Sequence, residues 1–178
     1  TEAPWAVFQD DIRRVVVEAG ITAIGENAFA DCANLQTVQL PDSMSEIAWG
    51  AFSGCGALET VTLPQKLQKL GKFAFWNCSK LREIVLPERL KKIEENTFDG
   101  CRALKTVRIP AGVQEIGKHA FENCTALRQV ILKPGLQCIR EKAFVGCKAL
   151  REIQIPTTVY QIATDAFADC REEVRQAA

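Results

Sequence analysis

Cysteine falls at Cys32, Cys55, Cys78, Cys101, Cys124, Cys147 and Cys170, each 23 residues after the last, with no insertion or deletion between them. Phenylalanine keeps step at Phe29, Phe52, Phe75, Phe98, Phe121, Phe144 and Phe167. A fixed period of this length dictates architecture before any secondary structure is read, because each unit must repeat one small shape and stack on its neighbours. Further rows run Leu35, Leu58, Leu81, Leu104, Leu127, Leu150 and Ile24, Ile47, Leu70, Ile93, Ile116, Ile139, Ile162. Proline recurs at Pro41, Pro64, Pro87, Pro110 and Pro156. The unit reads I-G-x-x-A-F-x-x-C-x-x-L-x-x-V-x-L-P-x-x-L-x-x.

Each unit has two parts. In Leu58-Glu-Thr-Val61-Thr-Leu63-Pro64 the apolar groups alternate, which is the periodicity of a strand with one buried face. Proline ends it, so the strand is short, about three or four residues. In Ile116-Gly-Lys-His-Ala-Phe121-Glu-Asn-Cys124 the apolar spacing of three to five residues predicts a helical turn or two, α or 3₁₀. A single unit has almost no interior, so the apolar rows must be buried by stacking. Strands placed side by side about 4.8 Å apart build a parallel sheet. The expected fold is an α/β repeat solenoid, a horseshoe segment with parallel strands on the concave face and helical turns on the convex side.

Residues 1–178 are expected to form one domain. Residues 1–20 make a partial repeat and cap, 21–170 the 23-residue repeats, and 171–178 a polar tail. In the first unit Ala6 and Gln9 stand where Phe and Cys are due, and Trp5 and Phe8 are expected to fold over the open end of the core. Around Lys133-Pro134-Gly135 the proline row slips, so the turn there should differ.

The unit L-x-x-V-x-L-P followed by I-G-x-x-A-F-x-x-C resembles the BspA-like, or Treponema-type, leucine-rich-repeat family over about residues 12 to 170. That resemblance implies a leucine-rich-repeat horseshoe. It also implies a surface-exposed or secreted protein, often an adhesin that binds host matrix proteins or other cells. No signal segment or anchor is legible in the chain itself. A structural spacer or engineered scaffold, and an intracellular docking regulator, are the alternatives.

Other classes find little support in the residues. Lys plus Arg total 22 and Asp plus Glu total 22, so no net field draws nucleic acid or an anionic membrane. No apolar run approaches the roughly 20 residues that cross a bilayer. The cysteines lack the close pairs of a zinc site, and as a stacked ladder their side chains run parallel and do not meet as disulfides. They read as small buried apolar groups, with Cys138 off the ladder. His119 is the single histidine and sits in a row with Asn27, Gly50, Phe73, Asn96, Lys142 and Asp165, which reads as solvent-facing. No triad, separated carboxylate pair or phosphate loop is present, so no enzyme, cofactor or metal is expected.

Binding must then use rows that vary between units. On the strand face Val85, Arg108 and Ile131 share a row with Val16, Gln39, Thr62 and Gln154. Just before the strands, Arg82, Lys105, Arg128 and Arg151 form a basic stripe suited to an acidic protein or sulfated glycan. Trp49, Phe73 and Trp76 place three aromatics in adjacent units, where they would supply an interface. The expected partner is a protein or glycan, without nucleic acid or membrane insertion. Self-association is not legible.

Overall fold

The computed structural model describes residues 3–177; Thr1, Glu2 and Ala178, the outermost residues of the expected cap and tail, lie outside them. Thirteen short strands follow one another. The first seven are β1 (Arg14–Val16), β2 (Ala23–Ile24), β3 (Thr37–Gln39), β4 (Glu46–Ile47), β5 (Thr60–Val61), β6 (Lys69–Leu70) and β7 (Lys92–Ile93). The others are β8 (Thr106–Ile109), β9 (Glu115–Ile116), β10 (Gln129–Leu132), β11 (Cys138–Ile139), β12 (Glu152–Ile153) and β13 (Gln161–Ile162).

All pairings between these strands are parallel and join residues 23 apart, as in Arg14↔Thr37 and Ile24↔Ile47. Two ladders result. The first holds β1-β3-β5 and β8-β10-β12; the second holds β2-β4-β6 and β7-β9-β11-β13. The first is the sheet that the alternation predicted, and in β3, β5, β8, β10 and β12 a proline follows the strand's last residue within three positions. At Lys133–Gly135, where the proline row slips, β10 still runs four residues, as β8 does before Pro110. The turn places Gly135 at φ 121°, with its amide donating to Thr158 Oγ1 at 3.2 Å.

The second ladder was not foreseen, and the expected helical turns on the third side are absent. Helix occurs only at the ends of the described chain, as a 3₁₀ turn at Ala6–Phe8 and α1 (Glu172–Ala177). The reason lies in two left-handed positions in most coils. Asn27, Gly50, Phe73, Asn96, His119 and Lys142 have φ between 52° and 61°. Four residues further on, Asp31, Gly54, Asn77, Gly100, Asn123, Gly146 and Asp169 have φ between 54° and 75°. A right-handed helix cannot run through such points. Amides instead reach the next coil, as in Asn27 N to Trp49 O, Phe29 N to Ala51 O and Asp31 N to Ser53 O, at 2.7 to 2.9 Å. This side is therefore a third intercoil ladder made of turns.

Between the ladders lies one core. Phe52, Phe75, Phe98, Phe121 and Phe144 are fully buried and stack with ring centroids 5.3 to 5.7 Å apart. Trp5 extends this column by stacking on Phe29 at 5.2 Å and donating from Nε1 to Ala28 O. Phe8, expected beside it, stands 59% exposed, because the 3₁₀ turn directs it outward. At the other end Val174 of α1 is buried.

Cysteine thiols fill the corner after each phenylalanine. Each ladder thiol from Cys55 to Cys170 donates to the Phe carbonyl 26 residues earlier, at 3.1 to 3.3 Å. All eight cysteines are buried, Cys138 included, and none forms a disulfide among the described residues. Burial pushes the thiols of Cys55, Cys78, Cys101 and Cys124 far up.

Both ladders open at one place. Between β6 and β7 no strand pairing forms, and on the first ladder only a bridge from Thr60 to Glu83 joins β5 onward. Thr97 marks this place. It stands where other coils carry Ala28, Ala51, Ala74, Ala120, Ala143 and Ala166, and its fully buried hydroxyl lies 2.9 Å from Glu94 O and 3.4 Å from Gly71 O. At that corner the coils stay joined, with Phe75 N donating to Thr97 O at 2.9 Å and Phe73 N to Glu95 O at 3.1 Å, so the opening is confined to the strand segments.

Candidate recognition surfaces

Beside the opened ladder runs a groove of about 860 Å³, lined by Ala48, Trp49, Gln68 to Lys72, Glu88, Arg89, Lys91, Lys92 and Glu94, among others. Its floor is close-packed backbone: a Cβ on Gly71 would lie 2.6 Å from the Ala48 carbonyl carbon, so only glycine fits there. Trp49 stands on the rim, 44% exposed, its ring 5.7 Å from that of Phe73 and tilted by 58°. Phe73 holds its place from a left-handed backbone, φ 59°. Trp76 does not join this pair. It is half-buried, and its Nε1 donates to Asp99 Oδ2 at 3.1 Å. Burial pushes the Asp99 carboxyl up, with the Asn96 and Trp76 hydrogen bonds acting in the opposite sense.

Cations beside the groove are mostly matched. Lys69 pairs with Glu46 at 3.6 Å, Lys72 with Glu95 at 3.0 Å, and Lys118 with Glu141 at 3.6 Å. Glu115 accepts from Arg140 at 2.5 Å and from Lys92 at 2.9 Å, and the Arg140 hydrogen bond holds its carboxyl below the usual range. Exposed pairs of this kind contribute about 0–1 kcal/mol each. Their effect is to leave the groove with balanced charge around an aromatic rim, a surface that offers stacking and hydrogen bonds in both senses.

The basic stripe immediately precedes the strands of the first ladder, with Lys105, Arg128 and Arg151 just before β8, β10 and β12. Arg82 pairs with Glu59 at 3.4 Å. Lys105, Arg128 and Arg151 are exposed and, among the described residues, form no ion pair; the glutamates Glu83 and Glu152 beside them do not close on them. On the strand face Arg108 is exposed, Ile131 is half-buried within β10, and Val85 is 71% exposed on the stretch where the first ladder lapses. His119 is not solvent-facing as its row suggested. It is half-buried at a left-handed position and touches Glu122 through Nδ1. Among the described residues no cluster of His, Cys, Asp or Glu could hold a metal ion, and no helix is long and apolar enough to cross a membrane.

The groove itself is what the sequence reading missed. The alanine row breaks beside it at Thr97, but the coils stay hydrogen-bonded there, from Phe75 N to Thr97 O at 2.9 Å, so that break is no signal for the gap.

The sequence profile of the BspA type leucine rich repeat region matches in six copies, over residues 6–127 and 50–173. The chain belongs to the BspA-type leucine-rich repeat family. Solved bacterial leucine-rich repeat structures resemble it. A leucine-rich repeat protein from Eubacterium ventriosum superimposes with a TM-score of 0.82 at 24% identity, over 89% of this chain and 43% of that one, a likeness of fold. The T. pallidum leucine rich repeat protein gives 0.75 at 32% identity, over 80% and 67%. A leucine rich cell surface protein from Faecalibacterium prausnitzii gives 0.54 at 30% identity, over 87% and 50%. This BspA-type chain therefore spans 43% to 67% of the length of these relatives. Among curated proteins none matches it.

Proposed function

We propose that the chain is a non-catalytic recognition module of a cell-surface or secreted protein, and that it binds a protein or glycan in the groove beside Trp49. The observation that carries this reading is Trp49 itself. Its row is otherwise Glu26, Lys72, Glu95, Lys118, Glu141 and Thr164, so the solenoid does not require an aromatic there. Yet an indole stands 44% exposed on the rim, backed by Phe73. Large aromatics held rigid beside a polar cleft supply much of the energy of interfaces. The family resemblance and the cell surface description of the Faecalibacterium prausnitzii relative support the setting.

The test is a binding screen of the purified chain against arrays of matrix proteins and glycans, with Trp49→Ala alongside. A saturable hit lost in the variant supports the reading. A hit retained by the variant moves the site away from the groove, and no hit on either array argues for a spacer.

A further inference from the structure

The basic edge carries an inference separate from the groove. We propose that Arg102, Lys105, Arg108, Arg128, Lys148 and Arg151 together bind a linear sulfated polysaccharide. The proposal rests on the recognition reading for its biological role, but on different residues.

These cations come from three successive coils, in the segments 102–108, 125–131 and 148–154, which contain a single carboxylate, Glu152. All six are exposed and none forms an ion pair among the described residues. The second-ladder face of the same molecule behaves differently: Lys69, Lys72, Lys92, Lys118 and Arg140 each lie 2.5 to 3.6 Å from a carboxylate. A chain of zero net charge thus leaves one edge uncompensated, and uncompensated stacked cations repel one another until an anion is bound.

The scaffold fixes these charges in line. Arg128 N donates to Lys105 O at 2.8 Å and Ala126 N to Arg102 O at 3.2 Å, while the strand register sets Thr106 against Gln129 and Gln129 against Glu152. Successive coils therefore repeat the charge about every 4.8 Å along the solenoid. Three coils make a track, not a pocket.

Chemistry selects the occupant. Of the larger apolar side chains among the cations, Leu104, Leu127 and Leu150 are fully buried and only Ile131 is half-exposed, so a protein partner finds little hydrophobic anchor. No aromatic occurs in the three segments, so nucleobases find no stacking platform. What the edge offers is charge, with four guanidiniums that hold an oxyanion through paired N–H donors. A polymer with regularly spaced, permanently ionised sulfates fits such a track.

The probe is heparin, titrated against the whole chain, with chemically desulfated heparin, poly-glutamate and single-stranded DNA in parallel. We expect saturable heparin binding that weakens on the order of a hundred-fold between about 50 and 200 mM salt, as for roughly five neutralised anions. The triple variant R128A/K148A/R151A should lose at least about ten-fold in affinity while keeping its circular dichroism and melting curve, because all three side chains are exposed. R128K should retain more binding than R128A. Equal affinity for desulfated heparin, tighter binding of poly-glutamate or DNA, undiminished binding by the triple variant, or no heparin binding at low salt would each overturn the proposal. A ligand from the array screen that still depends on Trp49 would leave the recognition reading standing in any of those cases.

Discussion

At the scale of single residues, position in the stack sets the cost of change. Phe98 is fully buried between Phe75 and Phe121, so Phe98→Ala should lower stability by about 3–5 kcal/mol through a core cavity. Trp49→Ala should cost under about 1 kcal/mol, since its rim position leaves little core to lose; chemical denaturation of both variants checks the contrast. The ladder thiols donate to carbonyls inside the core and have raised pKa values, so an aromatic disulfide reagent should modify them only as the protein unfolds. Labelling faster than global unfolding would show that the core breathes. Glu115 has a depressed folded pKa, chiefly through Arg140. Its contribution is full above the unfolded value, about 4.3, and is lost as pH falls through the folded value. The stability gap between wild type and Glu115→Gln should therefore be largest near neutral pH and shrink on acidification, measured by thermal melts across pH.

The elements were legible to different degrees. The first ladder, its proline stops and the slipped turn at Lys133–Gly135 could be read because alternation and proline act locally. The third side could not be read from apolar spacing, since I-G-x-x-A-F-x-x-C suits a helical turn as well as the turns observed. The deciding signal was polar: Asp31, Gly54, Asn77, Gly100, Asn123, Gly146 and Asp169 are all residues that tolerate a left-handed backbone. Phe73, His119 and Lys142 obscured the companion row, because the intercoil hydrogen bonds hold them there despite their own preference. The opened ladder makes a further prediction. The Glu94 amide faces the gap, whereas Gly71 and Gly117 donate to Ile47 and Ile93 carbonyls at 2.8 Å. Glu94 should exchange its amide hydrogen faster than either glycine. Glu94 protection equal to that of Gly117 in the unmodified chain would mean the coils do not part.

For the whole molecule, the repeat separates construction from recognition. Ladder rows of Phe, Cys, Leu and Ile build a continuous core, and the rows between them carry charge and aromatics without disturbing it. The aromatic group foreseen as three is two, Trp49 with Phe73, because Trp76 is turned to Asp99. The basic stripe was visible in sequence, but its lack of partners was not, since ion pairing depends on which coils face each other. The central claim is that a ligand settles in the groove that the parted coils leave beside Trp49. Its most direct test is to titrate a ligand captured in the array screen into isotopically labelled protein and follow the amide and indole resonances. Shifts should concentrate at the Trp49 indole, Gln68–Lys72, Lys91, Lys92 and Glu94. Saturable binding whose shifts avoid those residues would contradict that claim.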